Sequence, residues 1–205
     1  MLVVLIVVIA LIIITGILLI LWPKLVSLRE RKLFARIVGR KVYSLAEDKD
    51  FYVINQVALS IENKIIHFDH ILFTNKFIYC IGTKYYDAPV SGNYEDAQWL
   101  KYNSSSNIER IKNPMLLATA RLNYIKSSVN AMDGIFVSVV LVNDTCILDE
   151  IKNCPPGNYI MNLNEFRKFV EVNEKSDIPD IDQLCLEDLV QKIYKKTIKN
   201  EEKNK

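Results

Sequence analysis

The chain has 205 residues, half of them hydrophobic, and a formal net charge of only +2. That length suits one domain. The near-balanced charge gives no case for general nucleic-acid binding, which shows as a strongly basic domain. Cys80, Cys146, Cys154 and Cys185 lie far apart with no C-x-x-C pair, a poor spacing for zinc or a redox couple, and read as scattered, mostly unpaired core thiols.

The run "MLVVLIVVIALIIITGILLILW", Met1 to Trp22, carries no charge. As a helix it reaches roughly 33 Å, enough for a hydrocarbon core of about 30 Å. Trp22 suits the headgroup interface and Pro23 is expected to end the span. A cleaved signal peptide would show a positive n-region, a shorter apolar core and a small-x-small site, and these are missing. Lys24, Arg29, Arg31, Lys32, Arg36, Arg40 and Lys41 follow, opposed only by Glu30. The positive-inside rule then predicts a single-pass protein with its N-terminus outside and the remainder cytoplasmic. A reducing compartment agrees with the unpaired cysteines. The basic run reads as a topology signal, and it is also suited to anionic lipid headgroups.

From Lys24 to about Ala46 the pattern is helical, with Leu25, Leu28, Leu33, Ile37, Val38, Val42 and Leu45 as the apolar stripe. "FYVINQVALSI" reads as a strand, Glu62 to Lys64 as a turn, and "IIHFDHILF" as a second strand. Asn75-Lys76 suits a two-residue hairpin turn, since asparagine tolerates positive φ. "FIYCIGT" is a third strand. Tyr85 to Lys112 is polar and aperiodic, and is expected to be a long functional or mobile loop. Asn113 is the N-cap and Pro114 the first residue of a helix whose stripe is Met115, Ala118, Leu122, Ile125 and Val129. After Asp133-Gly134, "IFVSVVLV" is a strand buried on both faces. "CPPGN" is a break, "YIMNL" a short strand, and Asn164 to Val172 a short helix. A last helix uses Leu184, Leu189, Val190 and Ile193, and "KNEEKNK" is a charged tail. The order α-β-β-β-α-β indicates an α/β core.

"FDHILFTNKFIYCIGTKYYDAPVSG", then Trp99, then "NPMLLATARLNYIKSSV" resembles the nuclease-related domain (NERD) family, which reads "IDHI…GIFVIETKxxxGxIxG…W…NPxxQ". Gly39, Val42 and Leu45 join the match, which ends near Val142 and covers about half the chain. The resemblance implies a restriction-endonuclease-like fold descended from metal-dependent nucleases. Asp69 matches the aspartate of the D-H-I motif and Lys84 the lysine of the E-x-K motif. Gly82 stands where that motif has its glutamate. Arg40 stands where the family often has a glutamate after glycine, and Leu117 where it has the glutamine of N-P-x-x-Q.

Strand alternation puts positions 82 and 84 on one face, where an acid and a lysine could meet Asp69. Two carboxylates hold Mg²⁺, the metal activates water, and the lysine adds positive charge at the transition state. Here glycine supplies no ligand and Arg40 repels a cation. The remaining set suits a phosphate or an acidic side chain better. Asp87, Glu95 and Asp96 are the acids that could restore a site. Asp69 also reads as a structural residue bonded to backbone amides or to Lys84. Lys84 also reads as a solvated strand end, and Trp99 as core rather than a base-stacking platform. His67 and His70 lack a third group at ligand spacing.

The expected organisation is a transmembrane helix over 1–22, a basic juxtamembrane segment over 23–35, a NERD-like domain over 36–172, and a C-terminal helix and tail over 173–205. Two functions follow. One is a membrane-anchored, catalytically inactive nuclease-like binding or scaffold module that needs no cofactor. The other is a membrane-bound nuclease using Mg²⁺ or Mn²⁺ through Asp69 and a rearranged acidic site, with nucleic acid as its partner.

Overall fold

The computed structural model describes residues 2–61, 64–129 and 134–197, with the side chains of 2–12, 14, 20, 23, 24, 60, 61 and 64 outside the description. The turn expected at Glu62 and Asn63, Asp133 of the expected Asp133-Gly134 turn, and the tail over 199–205 lie outside the described residues.

Helix α1 runs unbroken from Leu2 to Lys49. Pro23, expected to end a first helix, lies inside it. A proline inside a helix forfeits one backbone hydrogen bond. Among the described residues no helix is long and apolar enough to cross a membrane. Most of the span expected over 1–22 falls on side chains outside the description. The C-terminal third of α1 packs on the domain through Phe34, Val38, Val42, Leu45 and Ala46. Leu25, Leu28 and Leu33, expected in the same stripe, are exposed; Leu33 lies on the groove side of the helix, beside the buried Phe34.

Three antiparallel strands follow, β1 (Tyr52–Ile61), β2 (Lys64–Phe73) and β3 (Ile78–Lys84). The β2–β3 turn is closed by Thr74, whose N–H donates to the Phe77 carbonyl at 2.9 Å while its hydroxyl accepts from Phe77 N–H at 3.1 Å. Asn75 is not among the residues with positive φ. The threonine hydroxyl supplies the closure instead.

The segment expected as a loop folds into β4 (Val90–Asn93), β5 (Gln98–Ser104) and β6 (Asn107–Lys112). With β8 (Leu148–Lys152) they form a second sheet in the order β6-β5-β4-β8. These strands are short and solvated on one side, so the apolar alternation that marks a half-buried strand is weak in them. Trp99 is fully buried there, as the core reading expects, and its Nε1–H donates to the Asn93 carbonyl at 2.8 Å.

Helix α2 (Pro114–Val129) starts where expected. Asn113 Oδ1 accepts from the N–H of Met115 at 2.9 Å and of Leu116 at 3.2 Å. β7 (Phe136–Val142) is buried at every residue and lies parallel between β3 and β9 (Asn158–Asn162). The main sheet therefore reads β1-β2-β3-β7-β9. Helices α3 (Leu163–Glu174) and α4 (Gln183–Lys196) complete the described chain. α1 and α3 cover one face of the sheet; α2 and α4 cover the other. Leu184, expected in the α4 stripe, is exposed, and Leu186 takes the buried place. The result is a mixed α/β domain with helices on both faces of one sheet.

Candidate functional site

The site forms where the alternation of β1 and β2 breaks. In the core on the α2/α4 face, Ile71 and Phe73 of β2 are odd-numbered but Ile66 and Phe68 are even. On β1, Ile54 packs against that core, and so do Val57 and Leu59. The parity changes at Asp69 on one strand and Gln56 on the other, and these two are skipped in the ladder that pairs Asn55 with His70 and Val57 with Phe68. Gln56 has φ 52°, a left-handed conformation that costs a non-glycine residue roughly 1–2 kcal/mol. Such outliers concentrate at functional sites. Gln56 was not legible as a site residue, because neither glycine nor proline marks the slip.

Asp69 leaves the regular pairing and clasps β3. Its Oδ2 accepts from Thr83 N–H at 2.6 Å and from Thr83 Oγ1–H at 3.0 Å. These bonds sit beyond the last β2–β3 pair, His70 with Ile81. The backbone-amide role weighed for Asp69 is thus the geometry present, with Thr83 as the partner. An Asp69–Lys84 ion pair is not among those of the described residues. The Lys84 ammonium lies below its usual 10.5, chiefly through desolvation and then through repulsion by Arg121 and Arg31, with Asp69 opposing. The side chain is exposed by area. Arg121 was missed; it lies four residues beyond Leu117 on α2, a helical spacing that puts both on one face.

Gly82 pairs with Val140 of β7, and a Cβ built there meets nothing within 4 Å. Its backbone is not in the positive-φ region. Glycine is therefore not required by fold at this position. Gly82→Ala is expected to stabilise the protein by about 0.5 kcal/mol through reduced unfolded-state entropy, seen as a small rise in denaturant midpoint at unchanged m.

Arg40 lines a groove of about 850 Å³ between α1 and the β1–β2 surface, together with Lys32, Arg36, Tyr43, Asn55, Gln56, Asp69 and His70. A Cβ on Gly39 would stand 3.3 Å from His70 Cε1, so glycine there admits the imidazole beneath the helix. His70 is buried and its Nδ1 bonds Asn55 Oδ1 at 2.7 Å. Desolvation lowers its pKa from 6.5 against the opposing pull of Asp69. The unfolded chain then takes up the proton more readily than the folded one. The contribution of His70 to stability is full above about pH 6.5 and is lost as pH falls through the lowered folded value. A thermal-melt series from about pH 8 to about pH 5 should show a steeper acid loss in the wild type than in His70→Gln; equal slopes would contradict the assignment.

Leu117 is exposed on α2 and His67 is exposed on β2. Asp87 is engaged with Lys101 at 2.8 Å, and that lysine also reaches Glu109 at 3.2 Å. Glu95 and Asp96 are exposed at the β4–β5 turn. Among the described residues no group of three or more His, Cys, Asp and Glu side chains is placed to hold a metal ion. All four cysteines are free thiols.

The model of the nuclease-related domain, NERD, matches residues 32–143, more than half of the chain. The chain belongs to the NERD family. No curated protein matches it significantly. One solved structure, that of a protein of unknown function called AF1548, aligns over 76% of each chain at 16% identity and a TM-score of 0.38, too low for any argument. The NERD match begins on α1 and closes just after β7, so it takes in the slip at Asp69, the glycine at 82 and the lysine at 84. It also includes the three small strands β4 to β6.

Proposed function

We propose that this NERD protein is anchored by a single N-terminal membrane helix and works on the cytoplasmic face as a catalytically inactive, nuclease-like binding module on a restriction-endonuclease-like core. The anchor rests on the uncharged stretch Met1–Trp22, on its inclusion in the continuous helix α1 from Leu2 onward, and on the exposure of Ile13, Ile17, Leu18, Leu19, Leu21 and Trp22. The basic run after Trp22 supports the orientation.

One observation carries the inactive reading. Asp69 is the single carboxylate among the residues lining the groove, and Lys32, Arg36 and Arg40 line it too. A divalent cation relies on several oxygen ligands and negative charge. This donor set does not fit one. The position that would supply the second carboxylate is Gly82, and Asp69 already accepts two bonds from Thr83.

The second reading is a metal-dependent nuclease. It is favoured by the retention of Asp69 and Lys84 at their motif positions and by the open space at Gly82. Incubating the purified full chain with DNA and RNA in Mg²⁺ and in Mn²⁺ separates the two. No cleavage above the level of Asp69→Ala is expected. Cleavage abolished by Asp69→Ala would establish the nuclease.

A further inference from the structure

We propose that the groove between α1 and the β1–β2 surface binds a compact polyphosphate-bearing ligand of nucleotide size, held by Lys32, Arg36 and Arg40. The inference rests on the inactive, membrane-anchored reading and names the ligand class of that same site.

Lys32, Arg36 and Arg40 recur every four residues, so they form one stripe along the helix, stepping about 6 Å at a time. All three are exposed and line the groove. Among the described residues none of them makes an ion pair or a side-chain hydrogen bond with the protein. Elsewhere on α1, Lys41 pairs with Asp144 at 3.8 Å and Lys49 with Glu171 at 3.9 Å, while Arg29 and Arg31, like the groove cations, make no ion pair among the described residues.

The opposite wall is polar and shaped. Asn55 and Gln56 present amides there, Gln56 from a strained backbone, while Tyr43 adds an exposed ring from α1 itself, three residues beyond Arg40. A cavity of about 850 Å³ falls in the range that holds small ligands. Asp69 contributes the one negative charge of the lining, and its Oδ2 is already occupied by the two Thr83 donors. The lining is therefore net positive. Guanidinium groups bind phosphate through paired donors, and Tyr43 with the two amides can take an uncharged ring system.

Charge and distance decide against larger partners. The whole chain carries only +2, which gives no case for a general nucleic-acid-binding domain. Lipid headgroups are too far away. Along a straight α1, Lys32 lies about 15 Å and Arg40 about 27 Å past Trp22. The headgroup layer adds only about 5–8 Å beyond the hydrocarbon, and screening removes most attraction over about 8 Å.

The test uses the full chain in uncharged phosphatidylcholine nanodiscs, without divalent metal. Fluorescent adenosine and guanosine triphosphates, inorganic phosphate and a single-stranded 12-mer, which at about 40 Å or more is far longer than the groove's cation stripe, are titrated separately by anisotropy or calorimetry. Saturable binding of a triphosphate below about 1 mM is expected, weakened at least about tenfold in Arg36→Glu/Arg40→Glu and unchanged in Lys41→Ala. A thermal melt verifies that the double variant is folded. Tighter binding of the 12-mer than of the triphosphates, a dependence on added anionic lipid, equal affinity in the double variant, or no saturable triphosphate binding would each overturn the proposal. Cleavage of the 12-mer on adding Mg²⁺ would instead defeat the inactive reading on which it rests.

Discussion

Replacing Gly82 and Arg40 together by glutamate is expected to create a Mn²⁺ site where the wild type has none. Position 82 follows the last β2–β3 pair, His70 with Ile81, and precedes Thr83, whose N–H is held by Asp69. A side chain there enters open space. The double change adds two carboxylates and removes one guanidinium. Two unit charges about 4 Å apart interact by about 4 kcal/mol at an effective dielectric of about 20. Exposure of Arg40 reduces its share to about 1 kcal/mol. Solvent screening at the partly exposed position 82 brings its share to a similar size, so each substitution should tighten Mn²⁺ binding by about fivefold, and the pair by about thirtyfold. Calorimetric titration of both single variants and the double variant measures this. If Gly82→Glu alone reaches the affinity of the double variant, Arg40 is not opposing the cation, and the electrostatic explanation fails.

Gly92→Ala is expected to cause the largest loss of stability in the second sheet. Gly92 sits at the register shift between β4 and β8. A Cβ built on it would stand 2.3 Å from Trp99 Cδ1 and Cγ and 2.7 Å from Nε1. The indole is fully buried and its Nε1–H holds the Asn93 carbonyl. It has nowhere to turn without leaving that bond and the packing of Val90, Met115 and Cys146 around it. Overpacking of this kind costs about 3 kcal/mol, or about 6–12 °C in Tm for a domain of this size. The same substitution at Gly82 should have the opposite sign, because there the Cβ is unopposed. The two alanine variants therefore form an internal comparison: one glycine is kept for close approach, and the other is not needed by the fold.

The contrast also shows what could be read from the chain beforehand. β1 to β3, α2 and β7 were legible because each has either a strong apolar pattern or a clear start signal, such as Asn113-Pro114. β4 to β6 and β8 were not. Their strands are short and mostly solvated, and only Trp99 is a large buried residue within β5. The α1 stripe was legible from Phe34 onward only in part, since the sequence repeats leucines at 25, 28 and 33 whether or not a sheet lies beneath them. The site was half legible. Motif position identified Asp69, Gly82, Lys84 and Arg40. Strand alternation suggested that Asp69 and Lys84 would meet, and the slip at Gln56 and Asp69 broke that rule. Asp69 instead closes the end of the β2–β3 pairing through Thr83, and Lys84 is left among Arg31 and Arg121. A left-handed glutamine inside a strand leaves no trace in residue type, so no periodicity argument could have found it.

On the proposed reading, charge counts for more in the groove than the identity of any one residue. Asp69 has a structural task of its own: Asp69→Ala strands the Thr83 N–H and hydroxyl and should cost about 1–3 kcal/mol. A loss of stability in that variant is therefore not evidence of catalysis. Direct observation of the cation is free of this ambiguity. The decisive measurement is a titration of the wild-type full chain with Mn²⁺, followed by electron paramagnetic resonance of the free ion. Essentially all manganese is expected to stay free at about 0.1 mM protein, since the single carboxylate in the groove is outnumbered by cations. A stoichiometric bound fraction that disappears in the folded Asp69→Asn variant would contradict the inactive, cation-repelling groove.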